Sequence, residues 1–159
     1  EIVDLFSNLR IHQDSEHTAP NKPLTLLYAL GKYQHGKKII DYTNAKYDLE
    51  SLLNQFGGER TRLHPQYAFT RLNNDANGNL WVLENIELCE PYATSSGDYP
   101  PDVLEENNVK GYFAENIQNA FDNNPALIVK IAQMLLDKHF PPSLHNKLIE
   151  MTAINIDNE

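Results

Sequence analysis

A single cysteine, Cys89, stands in 159 residues, so no intramolecular disulfide and no Cys-rich zinc site can form. A reducing compartment, the cytoplasm, is the expected location. No apolar run approaches the length that spans a bilayer, and no signal peptide is visible. The chain begins at Glu1 without a methionine and reads as a trimmed piece. Cations are scarce as well. Thirteen Lys and Arg face twenty-two Asp and Glu, a formal net charge of -9, and that balance by itself argues against a nucleic-acid partner. A phosphate-cradling glycine loop is missing too, because "GDYPPD" puts two prolines where such a loop needs N–H donors. There is no internal repeat and no low-complexity tract.

What is present describes one folded domain. Hydrophobic residues make up 41%, with eight Tyr and six Phe, enough for a real core. Charge is distributed unevenly. Residues 1–71 hold nine of the Lys and Arg against eight acids, whereas residues 72–159 hold four against fourteen. One half could therefore present a positive face while the other maintains solubility.

Apolar spacing predicts helices at "IVDLFSNLR", "KPLTLLYALGKYQHG" with Pro23 at its first position, and "TNAKYDLESLLNQFGG" with Thr43 as N-cap. Further helices are expected in "FAENIQNAFDN", in "NPALIVKIAQMLLDKHF" with Asn124 capping and Pro125 starting it, and in "PPSLHNKLIEMTAI". "IHQDSEHTAPN" and "CEPYATSSGDYPPDV" read as irregular loops, and "KKIIDY" as a short strand. "YAFTRL" alternates Tyr67, Phe69 and Arg71 with Ala68, Thr70 and Leu72. With "NLWVLE" across the turn-forming "NNDANGN", it predicts an antiparallel hairpin. The expected class is α+β: a mainly helical single domain with a small antiparallel sheet.

No catalytic constellation emerges. His12 and His17 share one polar loop, which does not supply the fixed tetrahedral geometry that zinc requires. His139 and His145 flank Pro141-Pro142 and suit a helix junction, their rings bonding free carbonyls. Ser143 near His145 lacks a nucleophile elbow and an acid partner. No enzyme activity and no cofactor or metal is expected.

"APNKPLTLLYALGKY", "HPQYAFTRLNND…NLWVLE", "VKGYF" and "LLDKHFPPSLHNKLI" follow one another in this order. Together they closely resemble the sulfur-binding domain of phosphorothioation-dependent type IV, McrA-like restriction endonucleases, from about Leu5 to Ile149. The resemblance implies a module that recognises double-stranded DNA in which sulfur replaces a non-bridging phosphate oxygen. It also implies a separate His-Asn-His (HNH) nuclease domain, usually C-terminal, that is absent from this chain, and it leaves room for a homodimer. Carried over by position, the sulfur pocket would comprise Tyr99, Pro100 and Val103 from a loop, with Thr70 and Arg71 from the "YAFTRL" segment. Arg10, Lys22, Lys32, Arg60, Arg62 and His64, with Arg71, would meet the DNA. Two other readings stand beside this one: a protein-interaction domain using its acidic half, and an enzyme whose metal site is assembled from distant His and carboxylates.

Overall fold

The structure is a computed structural model that describes residues 1–10, 20–57 and 64–156. Its first helix, α1 (Ile2–Ser7), is closed by reciprocal capping between Glu1 and Asp4 and turns Phe6 into the core. In α2 (Asn21–Gln34) the leucines at 24, 26, 27 and 30 are all buried, so this helix runs through the middle of the molecule. Strand β1 (Ile40–Asp41) leads directly into α3 (Tyr42–Phe56). The cap of α3 is Asp41, whose carboxylate accepts the Thr43 N–H at 3.1 Å, so the cap lies two residues before the expected Thr43. Asp41 can serve because it ends the strand in an extended conformation.

The expected hairpin is where the structure departs from the sequence reading. "YAFTRL" is not a strand: Pro65–Arg71 form helix α4, with Pro65 at its first turn. The alternation of Tyr67, Phe69 and Arg71 has period two, yet Ala68, Phe69 and Leu72 also share one helical face, and all three are buried. Packing of that face decides the matter. Leu72–Gly78 continues as a 3-10 segment broken by left-handed Ala76, Asn77 and Gly78. The turn-forming residues thus take the positive φ expected of them, but they join a helix to strand β2 (Trp81–Glu84).

The partner of β2 comes from further along the chain. A 3-10 helix (Ile86–Tyr92), a loop and helix α5 (Pro101–Glu106) intervene before β3 (Lys110–Phe113). The sheet has the order β1-β3-β2 and is antiparallel throughout, with Trp81 opposite Phe113 and Glu84 opposite Lys110. "VKGYF" is therefore the central strand. Helices α6 (Glu115–Asn123), α7 (Ala126–His139) and α8 (Pro142–Thr152) follow in the expected segments, except that Pro125 rather than Asn124 is the N-cap of α7. The α7–α8 junction uses His145 as expected, its Nε2 lying 2.9 Å from the Phe140 carbonyl.

The Trp81 indole lies flat against the backbone of β3. A Cβ on Gly111 would sit 2.5 Å from the Trp81 ring, so Gly111→Ala should cost about 1–3 kcal/mol by overpacking. A thermal melt checks this: an unchanged midpoint would mean the ring can move aside. No described helix is long and apolar enough to cross a membrane.

Candidate nucleic-acid interface

His64 caps α4, and the spacing of His64, Tyr67 and Arg71 places the three on one helical face. The imidazole and phenol rings stack at 4.5 Å with 14° between their planes. The Arg71 guanidinium lies 4.6 Å from the centre of the same Tyr67 ring. A column of stacked, partly exposed donors therefore runs along this face. It exists because the segment is a helix, since a strand would have separated His64 from Arg71 by more than twenty ångströms.

Arg71 also reaches across to a loop. Its Nε and Nη2 donate to the two Asp98 carboxylate oxygens at 2.7 and 2.6 Å, a bidentate pair. The hydrogen bonds to Asp98 raise the Arg71 pKa above its ordinary value, against the opposing effect of burial. The Arg71 side chain is 43% exposed and that of Asp98 only 6%. The turn beneath closes on itself: Thr94 N–H donates to the Asp98 carbonyl at 2.7 Å, and Asp98 N–H returns a bond to the Thr94 hydroxyl at 3.1 Å. Gly97, at φ +84°, supplies the left-handed residue this turn requires.

Tyr99 and Pro100 come next in the chain. The Tyr99 hydroxyl donates to Glu90 at 2.8 Å. Burial first, then the Glu90 bond, push its pKa up to about 12, so it remains a donor at neutral pH. The Pro100 carbonyl accepts the Val103 and Leu104 N–H groups, which opens α5. Tyr99 and Val103 pack against the core while staying partly exposed, and Pro100 is partly exposed as well. The expected loop residues thus share one short, braced segment, and Arg71 is tied to it one residue before Tyr99.

Other expected residues sit elsewhere. Thr70 is 5% exposed and turns its hydroxyl back to the Gln66 carbonyl at 3.0 Å. It faces the interior because α4 is helical, which removes it from a surface pocket. Lys22 is also inward: its ammonium bonds the Arg10 carbonyl at 2.6 Å and the buried Asp75 carboxylate at 2.7 Å. Asp75 in turn accepts the Arg10 N–H at 2.7 Å. With its side chain only 12% exposed, Lys22 holds the chain together and is not placed to meet a phosphate. The Arg10 side chain remains exposed. Lys32 leans over the Tyr28 ring, in a depression lined by Lys37, Ile39 and Asp48 and by no α4 residue. Arg60 and Arg62, like His12 and His17, lie outside the described residues.

Sequence reasoning missed Asp98, Tyr67 and Glu90. Tyr67 would have been found four residues before Arg71 had the segment been read as a helix. Asp98 carried a weaker signal, as the one acid within the polar run before Tyr99. Among the described residues, no three His, Cys, Asp or Glu side chains converge to hold a metal ion.

The architecture recurs in solved proteins. The sulfur-binding domain of ScoMcrA, complexed with phosphorothioated DNA, matches with a TM-score of 0.78 at 18% identity, over 96% of this chain and 98% of that one. The corresponding domain of SprMcrA, also complexed with phosphorothioated DNA, matches with a TM-score of 0.72 at 20% identity, over 96% and 91%. Against the type IV phosphorothioation-dependent restriction endonuclease ScoMcrA the TM-score is 0.71 at 17% identity, and the chain spans 28% of that protein. At such identities these likenesses establish a common fold. No curated protein matches the chain. The profile of the ScoMcrA-like DNA sulfur-binding domain family matches residues 1–156. With that match across nearly its whole length, the chain belongs to the ScoMcrA-like DNA sulfur-binding domains, a family of binding rather than catalytic domains.

Proposed function

We propose that this domain docks phosphorothioate-modified double-stranded DNA and so brings an attached HNH nuclease to it. The sulfur would rest against Tyr99, Pro100 and Val103, and Arg71 would hold the neighbouring backbone oxygens. One observation carries the reading: the bidentate Arg71–Asp98 pair joins the cationic face of α4 to the loop that presents Tyr99 and Pro100. A cation and rigid apolar rings therefore stand side by side. That the two related domains were solved with phosphorothioated DNA supports the same reading.

The chemistry suits a thio-substituted backbone. Sulfur is larger and more polarizable than oxygen and accepts hydrogen bonds poorly, so a lining of CH groups favours it by dispersion and release of weakly held water. Covering one or two methylene equivalents contributes about 1–2 kcal/mol. An oxygen in the same place loses its water partners, at a cost of about 1–3 kcal/mol. Both effects favour sulfur, and together they correspond to roughly thirty- to several-thousandfold discrimination. Exposed Arg10 and partly exposed His64, with Arg60, Arg62 and Lys32, would meet phosphates and set orientation without reading bases.

The test is competition between two duplexes identical except for one Rp phosphorothioate linkage. Preference for the thio duplex is expected, and equal affinity for both would sink the sulfur reading. Steep salt dependence without preference would leave a generic DNA binder. Pro100→Asp places a charge among the apolar rings and should weaken thio-duplex binding by about tenfold, because an unpaired carboxylate must then be desolvated against the sulfur. A variant that still discriminates would show that Pro100 does not line the pocket.

A further inference from the structure

Arg71 is not a free cation, and its state has a consequence for selectivity. We propose that Asp98 is a specificity-determining residue that occupies Arg71, so that an all-oxygen backbone finds no unpaired guanidinium to clamp and contact with the sulfur decides binding. The proposal rests on the reading of the site given above. A guanidinium carries five N–H donors, and Nε and Nη2 each give one to Asp98. The Tyr67 ring packs 4.6 Å from the same group. Arg71 thus offers its outer donors while its charge is already balanced.

The arrangement resists being undone. Asp98 is almost wholly buried, and Arg71 would leave an unpaired carboxylate there if it swung toward a phosphate. From Leu72 to Val109 the chain contains no lysine or arginine, so the loop side of the site has no cation of its own to replace it. Arg71 therefore meets the backbone as part of a neutral pair, through directed hydrogen bonds. Counterion release, which drives sequence-independent DNA binding, scales with the charge a protein brings to the phosphates. A neutralised arginine contributes little to it. The contact between sulfur and the apolar loop then makes up a larger share of the total.

Asp98→Asn keeps the shape and one acceptor oxygen while removing the charge. Its affinity for the all-oxygen duplex should rise about tenfold and that for the thio duplex about threefold, which lowers discrimination. The slope of log affinity against log salt concentration should steepen by about one for the phosphate that Arg71 now neutralises. In an Arg71→Gln background the same substitution should change neither quantity. Unchanged all-oxygen affinity and salt slope would overturn the role of Asp98. So would an increase that persists without Arg71, since that would be repulsion by the loop itself. A purely structural Asp98 would lower thio affinity and leave the salt slope alone, which also overturns it.

A measurement on the wild type covers the case in which the variant does not fold. The Arg71 Nε–H should exchange slowly with solvent, free or with the all-oxygen duplex, in nitrogen-15 spectra. Fast exchange in the free domain would overturn the proposal. Failure of the underlying reading looks different: the wild type would bind both duplexes equally, and the salt slopes would still judge Asp98.

Discussion

Arg71→Ala is expected to weaken binding to the thio duplex about a hundredfold, measured by fluorescence anisotropy at fixed salt. Hydrogen bonds from a charged donor contribute about 1.5–3 kcal/mol, which corresponds to ten- to more than a hundredfold in affinity. The upper end applies because the variant loses all of the outward donors at once. It also removes the Nε and Nη2 donors on which the Asp98 carboxylate depends. The uncovered acid also lowers stability, by about 1–3 kcal/mol for a buried acceptor left without its partner. A melt run beside the titration separates the two effects. Arg71→Lys keeps the charge without the planar fork and should recover only part of the affinity. An unchanged dissociation constant for Arg71→Ala would remove this side chain from the interface.

Trp81→Ala should be the most damaging single change to stability, costing about 3–5 kcal/mol. The side chain is 0% exposed and meets Phe69 and Phe113 edge-on, with centroids at 5.8 and 5.3 Å. Its indole N–H donates to the Phe69 carbonyl at 2.9 Å, which fastens α4 to the sheet. Against a total stability of about 5–15 kcal/mol, a loss of that size shifts a urea unfolding midpoint severely. Trp81→Phe preserves most of the packing but strands the Phe69 carbonyl and should cost about 1–3 kcal/mol. Phe69 lies two residues before Arg71, so loosening this bond also disturbs the donor column. A Trp81→Ala variant with a near-native midpoint would show that the tryptophan is not what holds α4 in place.

The start of α8 was legible because proline fixes where a helix can begin, as at Pro142, whereas α2 begins at Asn21, two residues before the expected Pro23. "YAFTRL" was not, because six residues satisfy both periods and only the contacts of Phe69 and Leu72 choose between them. Strand β2 was recognised but given the wrong partner. Trp81 pairs with Phe113 across two helical segments, a distance that no local pattern reveals. Charge asymmetry was legible as a number and misleading as a surface. Lys22, Lys38, Lys46 and Arg71, all from the first half, pair with Asp75, Asp122, Glu105 and Asp98 of the second. Among the described residues, four cations of the first half thus join the two halves. Tyr99, Pro100 and Val103 were reached through family resemblance, although Val103 lies in α5 and not in the loop expected for it. The element that ties them to Arg71 was missed, since Asp98 lies 27 residues from its partner.

Residues 85–109 leave the sheet after Glu84 and return at Lys110, and those two positions face each other in the ladder. The excursion therefore has both feet on adjacent rungs and is pinned from within by Cys89, Leu104 and Val109, all fully buried. A segment anchored this way behaves as a cartridge. Its outward residues can be rewritten, or the whole piece exchanged between relatives, while the strands that grip it stay as they are.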